Sequence, residues 1–173
     1  MIIMTNKELI DFILWLPGNY FPLGTRAAPH IRLGNSYDGT SFDPELDDVW
    51  QVLKSRLEDF LELKSVARER YGFSRLYPPT KFAESGEITC AVLSKNKNAK
   101  IMDVDIYATA KDSYNYSYRE KIRLEEFCKG EDFISEYAKE LREKKLSKVK
   151  RKLEEARKTV DRLERLYEKI EEG

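Results

Sequence analysis

The stretch KIMDVDIYATAKDSYNYSYREKIRL, residues 100–124, decides how this chain folds. It reads as two strands, Lys100–Ala110 and Tyr116–Leu124, joined by the turn-rich KDSYN. Tyr114, Tyr116 and Tyr118 fall at every second position and run into alternating basic residues. Aromatic rings interleaved with cations can form a stacking platform for single-stranded nucleic acid. The same period of two describes a half-buried strand, and antiparallel pairing favours that second reading. With Asp103 opposite Arg123, Asp105 opposite Lys121 and Tyr107 opposite Arg119, one face is largely charge-matched. The other face then pairs Met102 with Leu124, Val104 with Ile122 and Ala108 with Tyr118. Such pairs contribute about 0.2–1 kcal/mol each, and a one-residue slide would bury the charges. Tyr116 and Tyr118 are therefore expected to face the core, which leaves Tyr114, in the turn, for a partner.

A third strand, Ile88–Ser94, precedes these two across KNKNA, with Val92 beside Met102 and Cys90 beside Val104. Cys90 is then expected to be a buried small hydrophobe. A meander with one apolar face needs a cover, and two upstream helices supply it. Thr5 and Glu8 fit a capping box for a helix over 5–16, with Met4 and Leu9 placed as a hydrophobic staple and Pro17-Gly18 as the stop. Asp43 as N-cap and Pro44 at the first position open a second helix, over 44–71, whose stripe is Leu46, Val49, Trp50, Leu53, Leu57, Phe60 and Leu61. Gly72 suits its left-handed cap. Residues 18–43 show no period, and loops of this length are often binding loops. Within them HIRLG, residues 30–34, can form one short edge strand.

Beyond Gly130 the chain turns wholly helical in pattern. Leu146, Val149, Leu153, Ala156, Val160, Leu163, Tyr167 and Ile170 alternate spacings of three and four without a break. A stripe of two in seven is the narrow seam of a coiled coil. A separate stripe, Phe133, Ile134, Tyr137, Ala138 and Leu141, falls out of phase with it across REKK. One long helix that changes its buried face, or two helices meeting near Ser147, both satisfy this. The seam can bury against a second copy, against residues 131–143 folding back, or against a foreign helix. The fold-back limb is too short to cover it, which favours pairing between chains. Lys150, Lys152, Arg157, Glu164 and Glu171 flank the seam, and at this level they leave its direction open.

The expected fold is thus α+β: residues 1–130 as a globular domain of two helices on a small antiparallel meander, and 131–173 as a helical arm. Lys and Arg balance Asp and Glu at 31 each, so no global field steers the protein onto nucleic acid or acidic lipid. With Cys90, Cys128 and a single histidine, His30, there is neither a disulfide framework nor a His/Cys zinc set. No run approaches membrane-spanning length and no secretory leader opens the chain. A cytoplasmic protein without a cofactor is expected.

Three groups of residues can carry chemistry. Met102-Asp-Val-Asp-Ile106 resembles the metal motif of polymerase-like and primase-like nucleotidyltransferases, in which paired carboxylates hold Mg²⁺. The resemblance implies metal-dependent phosphoryl or nucleotidyl transfer at Asp103 and Asp105. It spans five residues, lacks the Gly-Ser helix upstream of the one and a histidine downstream as in the other, and both aspartates have basic partners. SYDGTSFD has Ser36 where haloacid-dehalogenase-like phosphatases carry their nucleophile, so Asp38-Gly39 reads as a turn. Arg26, His30 and Arg32, with Tyr37, can meet an anion or an acidic protein surface. Lys144, Lys145, Lys148, Lys150, Arg151 and Lys152 form a basic run that can track phosphates.

The expected function is non-enzymatic. The chain reads as a binding or regulatory protein, homodimeric through the seam, that engages a protein partner with the 18–43 loop, the KDSYN turn or the basic start of the arm. Short, charged, motif-poor chains of this kind resemble bacteriophage or mobile-element accessory proteins that inhibit a host enzyme by occupying its surface. The alternatives are nucleic-acid binding through 144–152 and Mg-dependent catalysis at Asp103 and Asp105.

Overall fold

The computed structural model describes residues 3–16, 30–36, 38–77, 87–95, 98–111 and 117–173. Helix α1 (Asn6–Trp15) starts at the expected capping box. The Glu8 amide donates to the Thr5 hydroxyl at 3.1 Å, and the Thr5 amide donates to the Glu8 carboxylate at 2.7 Å. Asp43 accepts from the Glu45 amide at 3.0 Å and opens a 3₁₀ turn, Pro44–Leu46, that leads into α2 (Asp47–Arg70). The 3₁₀ turn follows from proline at its first position, which is preset in φ and has no amide to place.

Four antiparallel strands follow one another in space in chain order: β1 (His30–Gly34), β2 (Ile88–Ser94), β3 (Asp105–Lys111) and β4 (Ser117–Arg123). HIRLG is the edge strand β1, paired with β2 from His30 opposite Ser94 to Gly34 opposite Cys90. Leu9 and Ile13 of α1, Leu53, Leu57 and Leu61 of α2, and Ile31, Leu33, Leu93, Ile106 and Ile122 of the sheet form one buried cluster. Burial of each such side chain contributes about 1.5–3 kcal/mol. The mixed α+β architecture is the expected one, with a fourth strand at the edge.

The strand registers differ from expectation in an instructive way. Ile101–Asp103 wind into a 3₁₀ turn, so β3 begins at Asp105. Asp105 then stands opposite Arg123, Tyr107 opposite Lys121 and Thr109 opposite Arg119, a slide of two residues from the expected pairing. A slide of two preserves the faces. Val104, Ile106, Ala108 and Ile122 are fully buried, while Lys121 reaches diagonally to Asp105 at 3.6 Å. Tyr118 shares the inward face, half-buried and stacked on Tyr77 with ring centroids 4.8 Å apart; Tyr116 lies outside the described residues.

Between β2 and β3 the difference is odd, and the faces exchange. Val92 pairs with Tyr107 and Cys90 with Thr109, across an irregularity between Ile88 and Cys90. Ala91 and Leu93 therefore enter the core, and Cys90 is half-buried rather than buried. Met102, expected opposite Val92, is 63% exposed. The cause is the same 3₁₀ turn, which lengthens the connection after β2 and shifts the pairing by an odd number of residues.

After β4 a short helix α3 (Leu124–Lys129) ends at Gly130, whose φ of +55° suits glycine. Helix α4 (Glu131–Glu172) then runs unbroken for 42 residues. Of the two geometries compatible with the phase break at REKK, the chain adopts the single helix.

A candidate interaction surface on the helical arm

The root of α4 packs on α2 through the stripe that is out of phase with the seam. Phe133 stacks on Phe60 at 5.9 Å and Leu141 is 3% exposed, the last buried residue of the chain. A polar cluster locks the same junction. Arg68 donates to the Tyr137 hydroxyl at 2.8 Å and to the Ser74 carbonyl at 2.6 Å. The Lys64 ammonium, in a buried side chain, sits over the rings of Phe133 and Tyr137 at 5.4 and 4.9 Å, a favourable use of an aromatic face by a desolvated cation. Glu120 on β4 faces this pair. Burial pushes its carboxyl above the usual range, against the pull of Lys64 and Arg68. Sequence reasoning missed this cluster, because Lys64, Arg68 and Glu120 look like surface charges until the fold brings them together.

From Leu146 onward every residue is exposed. Leu146, Val149, Leu153, Val160, Leu163, Tyr167 and Ile170 are each at least half exposed, and Ala156 is exposed with them. The eight seam residues thus lie along one face of a continuous helix that is exposed on every side from Leu146 onward. At 1.5 Å per residue the arm is about 40 Å long. Helix 131–143 does not fold back on it, since it is the first part of the same helix.

The basic run divides by helical position. Lys144, Lys148 and Arg151 fall on the side away from the seam, whereas Lys145, Lys150 and Lys152 flank it. All are exposed except Lys145, which lies against Gly72.

The other candidates are placed as follows. His30 and Arg32 share the outer face of β1, two residues apart. His30 Nδ1 is buried without a hydrogen-bond partner among the described residues, and Arg32 covers the Phe42 ring at 5.8 Å. Arg26, Tyr37 and Tyr114 lie outside the described residues, as do residues 18–29 of the 18–43 loop and residues 112–115 of the KDSYN turn. Asp38 sits in a closed turn: hydrogen bonds from Ser36 and Thr40 hold its carboxyl at about 2. Asp103 belongs to the 3₁₀ turn, its carboxylate accepting from the Lys100 amide at 3.3 Å, while Asp105 is in β3 beside Lys121. The two aspartates therefore sit on different elements, each with its own partner. No group of three or more metal-ligating side chains converges among the described residues.

Lys95 was also missed. Its ammonium is buried at the end of β2 and donates to the carbonyls of Ile13, Leu14 and Leu16, the first at 3.0 Å. The Ile13 and Leu14 carbonyls belong to the last turn of α1, whose carbonyls lack helical partners and carry its negative dipole end, and Leu16 is its C-cap residue. Burial lowers the pKa of this amine from the ordinary lysine value. No described helix is long and apolar enough to cross a membrane. No protein-family model, curated protein or solved structure matches this chain.

Proposed function

We propose that the chain is a binding or regulatory protein that self-associates through residues 146–170 and presents its body to a macromolecular partner. One observation carries this reading: an unbroken heptad seam lies uncovered along a helix whose root is locked to the body. An isolated two-in-seven helix gains little from exposed apolar residues, and pairing them is how such a seam is buried. Light scattering tests this directly. The full chain is expected to show twice the monomer mass, and the chain ending at residue 143 the monomer mass. Leu141 is retained in the shortened chain, so its body keeps every buried residue. A full-length monomer at all concentrations would sink the proposal.

A second reading is favoured by Lys144, Lys148 and Arg151, which stay exposed on the side of α4 that the seam does not use. Their spacing suits a phosphate backbone or an acidic protein surface. A nucleic-acid contact predicts affinity that falls steeply with salt and is lost in Lys144→Gln/Lys148→Gln/Arg151→Gln. An affinity indifferent to salt would remove it.

A further inference from the structure

We infer that the arm pairs antiparallel with a second copy of itself, with Lys150 opposite Glu171 and Arg157 opposite Glu164 of the second copy. The inference rests on the self-association proposed above and adds its direction and register.

With Leu146, Val160 and Tyr167 as first core positions of the heptad and Val149, Ala156 and Ile170 as second ones, the flanks are fixed. One flank carries Lys150, Arg157, Glu164 and Glu171 in chain order, basic near the root and acidic near the tip. The other carries Lys145, Lys152, Thr159 and Leu166. In a parallel pair each residue of the second flank meets the next residue of the first flank on the other helix. That places Lys145 against Lys150 and Lys152 against Arg157, twice each by symmetry, with no opposite-charge contact to offset them. In an antiparallel pair each flank meets its own copy running the other way. The basic-to-acidic gradient of the first flank is then self-complementary, and Thr159 meets Leu166 on the second.

Core sizes agree. Parallel pairing sets Ala156 against Ala156 and Tyr167 against Tyr167, one layer too thin and one too thick. The antiparallel register sets Ala156 against Tyr167, Leu153 against Ile170 and Val160 against Leu163, so large residues meet small ones and the layers keep an even thickness. A register longer by one heptad would cover Leu146 and Val149 as well. It would set Arg157 against its own copy and Glu171 against Glu143. It would also bring the partner's tip level with Lys145, where the arm meets the body at Gly72. Residues 146–149 are instead left clear of the partner.

The experiment is cross-linking of the full chain carrying Leu153→Cys and Ile170→Cys, with Cys90 and Cys128 replaced by alanine, using a short thiol-specific linker and peptide mapping. Links joining 153 to 170 between chains are the expected result. Links joining 153 to 153 and 170 to 170 overturn the antiparallel assignment and leave self-association standing. A covalent dimer that fails to form, in a protein that light scattering finds dimeric, overturns the register. A protein that is monomeric by light scattering removes both the inference and the reading beneath it.

A charge exchange provides an independent measurement on native core residues. Lys150→Glu/Arg157→Glu turns four attractive contacts repulsive in the antiparallel pair, and dimer affinity is expected to fall at least about tenfold. Adding Glu164→Lys/Glu171→Lys restores it. In a parallel pair the first double substitution would relieve the repulsion from Lys145 and Lys152 and tighten the dimer, which would overturn the proposal.

Discussion

Leu53 and Leu153 are the same residue, each at an apolar position of a regular helical stripe, yet one is fully buried and the other half exposed. The first belongs to α2, which lies against β1 and β2, and the second to the distal part of α4, which lies against nothing described. Periodicity states which side of a helix is apolar. It does not state what covers that side, because the covering element comes from elsewhere in the chain or from another chain. The body and the arm of this protein separate the two pieces of information.

The sharpest way to test that contrast is to truncate both leucines and follow unfolding of the body by denaturant titration. Leu53→Ala removes a side chain from a closed core and is expected to cost about 2–5 kcal/mol. Leu153→Ala is expected to change the body's unfolding by less than about 0.5 kcal/mol, while weakening the proposed self-association. Equal effects on the two would mean that the arm and the body fold as one cooperative unit.

Within the body, Gly34 offers a comparable loss through backbone geometry. Its φ is +101°, and an added Cβ would stand 2.5 Å from the Thr89 carbonyl and 2.9 Å from the Trp50 ring. Gly34→Ala is expected to cost about 3 kcal/mol or more, from combined strain and collision. Next comes Lys95→Met, which keeps most of the apolar stem and removes the cap on α1. Lost charge-assisted hydrogen bonds are worth about 1.5–3 kcal/mol, and amide hydrogen exchange should rise in α1 before it rises in α2. Unchanged protection in α1 would mean that Lys95 is dispensable as a cap.

The smallest effect belongs to the junction between the regions. Because burial raises the Glu120 pKa, the folded chain holds a proton that the unfolded chain has already released just above the ordinary glutamate value of 4.5. Stability is therefore lost as pH rises through that window and the carboxylate ionises. Glu120→Gln removes this loss, so the variant should match the wild type near pH 4 and exceed it at pH 7 by less than about 1 kcal/mol. A wild type that is the more stable at pH 7 would show that Lys64 and Arg68 outweigh the burial cost.

The parts legible in the sequence are those whose signals are local. The Thr5–Glu8 box, the Asp43-Pro44 start, the alternation of Tyr118 and Ile122, and the seam from Leu146 to Ile170 each lie within a few turns or one strand. The strand registers were legible only in part. The β3–β4 faces survived a slide of two residues, whereas the 3₁₀ turn at Ile101–Asp103 reversed the expected faces of Cys90 and Val92. The signal for that turn is weak, since Asp103 capping its own loop looks the same in one dimension as Asp103 in a strand.

By itself the sequence determined the α+β class, the helix starts and the apolar face of the arm, because capping, periodicity and turn chemistry act between near neighbours. Only the tertiary structure decided that Lys95 caps α1, that Lys64, Arg68 and Glu120 share one junction, and that the arm leaves the body as a single uncovered helix. Those features join residues tens of positions apart, and their energies exist only once the chain has closed the loops between them.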